Sequence, residues 1–226
     1  VLPETCSRSN CSSQPHAITT ALASIPWAAP SMVILSLGNA SEAVASCNAV
    51  AKALPMYSRK TGAGSKEARR TIVSVLPHTV DGSEVPLEDI ASVASSTRIA
   101  AALVDAPTNE LHTDSFVDIA LKVAAEVGAT VSVIRGTDLQ ERGFGGLWGV
   151  GKAAPHPPAL VVLEHRPEGV AEDSPSVCMV GKGIVFDTGG LSIKPTASMC
   201  GMKRDMGGAA GILGAFRALA LTGGGG

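Results

Sequence analysis

Aromatic side chains are scarce. Trp, Tyr and Phe together supply 3% of the 226 residues, whereas hydrophobic residues as a class supply 45%. A core of useful size is therefore available, but it must be aliphatic and rich in alanine. An excess of positive charge is also missing: 18 Lys and Arg face 20 Asp and Glu, a formal net charge of -2. Such a balance supplies no basic field to draw in nucleic acid or an anionic membrane. Cysteine is sparse, and five in a chain this long do not make a disulfide framework. Cys6 and Cys11 could pair or bind a metal, but free thiols in a cytoplasmic protein are the expectation.

Several motifs are absent as well. Ala17 to Leu37 has no charged residue, yet Pro26 and Pro30 interrupt it and no cluster of positive charge precedes it. A buried strand and loop is expected there, not a signal or membrane segment. There is no His-Glu-x-x-His, and the five histidines have no zinc spacing. Each is expected to be a loop or surface residue. Without a Gly-x-Ser-x-Gly elbow, serine hydrolysis has no support. Gly146-Leu-Trp-Gly-Val-Gly-Lys152 matches the first seven positions of a phosphate-binding loop, but Ala153 stands where Ser or Thr should hold magnesium. No buried strand precedes it either, so nucleotide binding is set aside.

What is present alternates between strands and helices. Residues 1–15 are polar and read as a frayed edge. Met32 to Leu37 is a strand candidate. Ser41 to Leu54 reads as a helix capped by Ser41, with Val44, Cys47, Val50 and Leu54 on one face. Arg70 to Leu76 is another strand, its pairing ended by Pro77. Residues 1–85 thus form a small α/β unit, followed by a helix, Leu87 to Val104. Thr113 to Val127 is a second helix, with Thr113 or Asp114 near its cap and Gly128 closing it. Strands are expected at Ala129 to Ile134, Ala159 to Leu163 and Ser176 to Val180, with a helical turn at Asp138 to Arg142 and a last helix from Lys203 to Leu221. Cys178 would be a small core residue of its strand. The pattern predicts an α/β fold whose C-terminal part is a mainly parallel sheet covered by helices on both faces. Functional loops then belong at the C-terminal ends of the strands.

One such loop concentrates the chemistry. Between Gly181, Gly183, Gly189 and Gly190 sit Lys182 and Asp187, followed by Lys194 and Asp205. Carboxylates are hard ligands for divalent cations, and a lysine amine ligates once deprotonated, which a neighbouring positive ion promotes. A second lysine that stays charged stabilises negative charge developing in a transition state. Asp205 also reads simply as an acid near a helix N-terminus.

The runs Val180-Gly-Lys-Gly-Ile-Val-Phe-Asp-Thr-Gly-Gly190, Leu191-Ser-Ile-Lys-Pro195 and Met202-Lys-Arg-Asp-Met-Gly-Gly-Ala-Ala210 resemble those of the leucyl (cytosol) aminopeptidase family. Upstream, Asp105-Ala-Pro-Thr-Asn-Glu110 and Arg142 to Ala159 are similar to its animal "probable aminopeptidase" branch. The resemblance spans about Arg98 to Leu221. It implies a metal-dependent exopeptidase that removes N-terminal residues from peptides. Two divalent ions, zinc or manganese, would sit side by side. Lys182, Asp187 and Asp205 match ligands of one ion, and Asp187 also reaches the second. Lys194 matches the catalytic lysine, and Met202 a wall of the pocket for the first side chain. The resemblance further implies a macro-like N-terminal domain at 1–85, a linker helix at 86–104, and the start of the catalytic domain at 105–226. It also implies a cytoplasmic homo-oligomer, hexameric in the family, acting on peptides.

The sequence departs from the family in two places. Cys200-Gly201 stands where the family often has Asp-Leu. The downstream Asn-Thr-Asp-Ala-Glu-Gly-Arg run, with two further ligands and a bicarbonate-binding arginine, does not occur. With Val1 at the start and four glycines at the end, the chain is expected to be truncated and inactive alone. The alternative to a family enzyme is a non-catalytic isoform that acts by pairing with other subunits.

Overall fold

The computed structural model describes residues 14–25, 27, 29–54, 56–57, 72–171 and 173–223. Cys6, Cys11 and the start of the strand expected at Arg70 lie outside them. The fold is α/β, and the chain divides into two compact units, Val1–Ala102 and Leu103–Gly226. Among the described residues no helix is long and apolar enough to cross a membrane.

The first unit pairs β1 (Ser31–Leu37) with β2 (Val73–Thr79) in parallel, from Ser31 beside Val73 to Leu37 beside Thr79. Pro77 does not end the pairing; it stands opposite Leu35. A two-stranded sheet has only edge strands, and an edge tolerates the missing N–H of proline. Helix α1 (Gln14–Ala23) replaces the expected strand at its position. Its threonines are accommodated because Thr19 and Thr20 donate their hydroxyls to carbonyls four residues back. Thr19 also donates to the Ala49 carbonyl of α2 (Ala43–Ala53), at 3.0 Å. Ala43, Cys47 and Val50 recur at helical spacing and, with Leu22, Leu35, Leu37, Ala53 and Ile90, form an aliphatic core. The cap is Asn39, not Ser41: its side chain accepts the Ser41 N–H and starts a short 3₁₀ turn ahead of α2. Helix α3 (Leu87–Asp105) follows, with Glu88 and Asp89 in its first turn.

In the second unit α4 (Thr113–Val127) occupies its expected span, and Gly128 ends it at φ 66°. Its cap is His112, where Thr113 or Asp114 was expected. His112 Nδ1 accepts from the Ser115 N–H while the Ser115 hydroxyl accepts from the His112 N–H, a reciprocal capping box. β3 (Thr130–Arg135) and β4 (Ala159–Glu164) pair antiparallel, not parallel. The reason is the connection between them. It holds only α5 (Thr137–Glu141) and α6 (Gly145–Gly151), of 5 and 7 residues. At about 1.5 Å per residue neither runs the length of a strand as a crossover helix does, and the chain re-enters at the end it left. Ser176 to Val180 is not a strand, since no neighbouring strand hydrogen-bonds to it among the described residues; Val177 and Val180 are exposed, and so is Cys178. The last helix is divided. After a four-residue α7 (Thr196–Met199), a 3₁₀ turn at Met202–Met206 leads into α8 (Gly207–Leu221).

Helix α8 is tied to α4 by Arg217, only 8% exposed, which donates from Nε to Glu126 at 2.8 Å. Chiefly this hydrogen bond, with a smaller pull from the Arg217 charge, holds the Glu126 carboxyl below its ordinary 4.5. A depressed folded-state value contributes stability that is complete above the unfolded value and is lost as pH falls through the folded one. Because Glu126 is 44% exposed and solvent screens the pair, Glu126→Gln is expected to cost no more than about 1 kcal/mol at neutral pH. Thermal melts of the two proteins should converge in strong acid; a constant gap would remove Glu126 as the titrating group.

Candidate functional site

Two main-chain hydrogen bonds join the glycine-rich loop to the approach and first turn of α8. Ala209 N–H donates to the Lys182 carbonyl at 2.7 Å, and Ile184 N–H donates to the Asp205 carbonyl at 3.2 Å. The contact is close enough to demand glycine. A Cβ on Gly208 would lie 2.7 Å from the Lys182 carbonyl oxygen, and one on Gly181 would lie 2.6 Å from the Gly208 oxygen. This apposition brings Lys182 Nζ within 3.8 Å of Asp205 Oδ2. The side chains are 68% and 49% exposed, so the pair adds little stability. At that distance the carboxylate stays open to another cation.

Asp187 is held more firmly. Its Oδ1 accepts the Gly189 N–H at 2.8 Å, and its Oδ2 accepts from Lys194 Nζ at 2.7 Å. Gly189 at φ 88° turns the chain, and Lys194 N–H then closes the loop on the Thr188 carbonyl at 2.8 Å. The Lys194 hydrogen bond comes first in holding the Asp187 carboxyl below the usual carboxylate range, followed by the Gly189 N–H. The Lys194 charge and then the Lys182 charge add smaller pulls in the same direction. Lys182 is thus electrostatically coupled to both carboxylates. Met202 is buried, with its Sδ 3.0 Å from the Asp187 N–H.

The structure therefore gathers Lys182, Asp187, Lys194, Met202 and Asp205 around one loop–helix junction. Two carboxylates and an amine that ligates when deprotonated are a donor set suited to a divalent transition-metal ion. The exposed Asp205 carboxylate and the glycine-lined cradle fit such an occupant. Sequence reasoning missed one supporting residue. Lys203 donates to the Asp105 carbonyl at 2.7 Å and so anchors the turn that carries Met202 and Asp205. Nothing in its spacing signals this, since the two residues lie far apart in sequence. Gly145–Gly151 is helical and leads into Lys152, so it is not a phosphate-cradling loop.

Residues 98–223 match the catalytic domain of the cytosol aminopeptidase family, and residues 1–63 match the M17 aminopeptidase N-terminal domain 2. The probable aminopeptidase NPEPL1 of Mus musculus is 42% identical over 221 residues, covering 96% of this chain and 42% of the relative. The structure of Caenorhabditis elegans leucine aminopeptidase superposes with a TM-score of 0.82 at 38% identity, covering 97% of this chain and 44% of that one. The bottromycin maturation enzyme BotP in complex with Mn gives 0.72 at 29% identity, covering 94% and 45%. The chain spans less than half the length of these proteins. The matched catalytic-domain segment contains the whole Lys182 to Asp205 junction, and on these grounds the chain belongs to the cytosol aminopeptidase family.

Proposed function

We propose that the whole protein is a metal-dependent aminopeptidase whose ions are held in this chain by Lys182, Asp187 and Asp205. The observation that carries this reading is the gathering of those three donors and Lys194 at one exposed, glycine-lined junction. Zinc and manganese are the proposed ions, two per site, and the Mn held by the related BotP supports manganese. When bound, such ions polarise a peptide carbonyl and lower the pKa of water.

The chain's own residues supply the rest. Asp187 is ionised and aimed, ready to bridge two cations. Lys182 serves only as a free amine, so proton and ion compete for it and binding strengthens as pH rises. With a cation bound, Asp187 would be one of the residues holding it, and the Lys194 ammonium would be left to face negative charge growing on the substrate carbonyl oxygen. Met202 walls the pocket for the first side chain. Peptides are the proposed substrates, the cytoplasm the proposed compartment and a homo-oligomer the proposed assembly.

Lys194→Ala separates metal holding from catalysis. In the whole protein, hydrolysis of leucine amide is expected to fall about 10²–10³-fold, the usual loss when a donor to an oxyanion is removed. Manganese affinity, followed by the signal of free Mn²⁺ in electron paramagnetic resonance, should stay nearly unchanged. Loss of manganese with the lysine would make Lys194 structural and overturn its assigned role.

A further inference from the structure

We propose a second divalent-metal site, for zinc or another borderline transition ion, formed by His112, Asp114 and His156. Their ligand atoms lie within 4.8 Å of one another, and the three residues are partly buried. None of them belongs to the Lys182, Asp187 and Asp205 set. His112 and Asp114 come from the start of α4, and His156 from the loop before β4. Two imidazoles and a carboxylate are a donor set that zinc accepts readily and magnesium or calcium does not.

The local geometry is prepared for a cation. His156 Nδ1 is 2.7 Å from Asp114 Oδ2, a separation bridged here by one proton that an ion would replace. The rings of His112 and His156 stack at 3.6 Å with 4° between their planes. Arg135, at the end of β3, contacts the other Asp114 oxygen, Oδ1.

Binding has a stated structural cost. Parallel rings cannot both point an in-plane lone pair at one ion, so one ring must rotate out of the stack. His112 is the candidate, because only a long 3.3 Å hydrogen bond from the Ser115 N–H holds its Nδ1. The protons of His156 or His112 leave to solvent as the ion enters, and water completes the coordination. Occupied, the site clips the loop before β4 to the first turn of α4, across 42 residues of sequence.

The test uses Co²⁺, whose visible absorption reports tetrahedral ligation, on the 226-residue chain carrying Asp187→Asn and Asp205→Asn to silence the other set. Cys178→Ser and Cys200→Ser remove the exposed thiols among the described residues, and Cys6→Ser and Cys11→Ser remove the other two that could bind a metal. One equivalent is expected to bind, to be displaced by Zn²⁺ and not by Mg²⁺, and to raise the melting temperature. His112→Asn is the decisive variant, because asparagine keeps the helix cap while removing the ligand. It should lower Co²⁺ affinity at least tenfold and abolish the metal-induced rise in melting temperature, with far-UV circular dichroism unchanged. His156→Gln should do the same. Failure of the parent to bind Co²⁺, or unchanged affinity in both variants, would overturn the site and leave the cluster a proton-sharing pair.

Discussion

Asp187→Ala is expected to leave the whole protein with no measurable release of leucine from leucine amide and with its divalent ions lost. Both oxygens of this carboxylate are already engaged, one by the Gly189 N–H and one by Lys194 Nζ. Removing the side chain deletes the proposed bridge between two cations and frees the loop at the same time. Asp187→Asn distinguishes these effects. Its amide oxygen still accepts from Gly189, so the turn persists, while the charge that an ion requires is gone. Both variants should lose metal by elemental analysis, and only Asp187→Ala should loosen the loop to proteolysis. Turnover near that of the wild type, with metal retained, would sink the assignment of Asp187. The depressed carboxyl of Asp187 adds a pH consequence: protons compete with metal at this residue only below the usual carboxylate range.

Gly208→Ala should have nearly as large an effect although it adds one carbon and touches no donor atom. The new Cβ would meet the Lys182 carbonyl oxygen at 2.7 Å and its nitrogen at 3.0 Å. Both are backbone atoms, which cannot swing aside, so the loop must lift from α8 and take Lys182 away from Asp205. Overpacking of this kind costs about 1–3 kcal/mol. Manganese affinity is expected to fall at least tenfold. Gly211→Ala is the control. It lies in the same helix with nothing within 4 Å of the added carbon, and alanine should stabilise the helix by about 1 kcal/mol. A Gly208→Ala protein with the denaturation midpoint and manganese affinity of the wild type would show that the close contact does not govern the site.

The sequence disclosed what depends on local pattern. Helix α4 was legible end to end because its apolar periodicity is strong and Gly128 supplies a left-handed stop. The loop from Lys182 to Asp205 was legible because its glycines and charges are unusual together. Longer-range matters were not. Helical and extended segments in alternation suggested parallel crossovers, but neither α5 nor α6 is long enough to run back along a strand as a crossover helix does. Ser176 to Val180 has a strand's composition, and composition cannot supply a neighbour to pair with. The uncharged run after Ala17 hid helix α1, whose threonines satisfy their hydroxyls on their own backbone. His112 and His156 lacked zinc spacing because folding, not sequence proximity, brings them together.

The junction between loop and α8 is made through main-chain atoms: Ala209 N–H to the Lys182 carbonyl and Ile184 N–H to the Asp205 carbonyl. Neither bond depends on which side chain residue 182 or 205 bears. Position and chemistry are consequently separable at this centre. The scaffold sets where two donors stand, while the residues at 182 and 205 decide what kind of donor each is. If Lys182 and Asp205 hold the ion as proposed, metal preference is free to drift by single substitutions at those two positions, harder with a carboxylate and softer with an imidazole, without any rebuilding of the cradle beneath them.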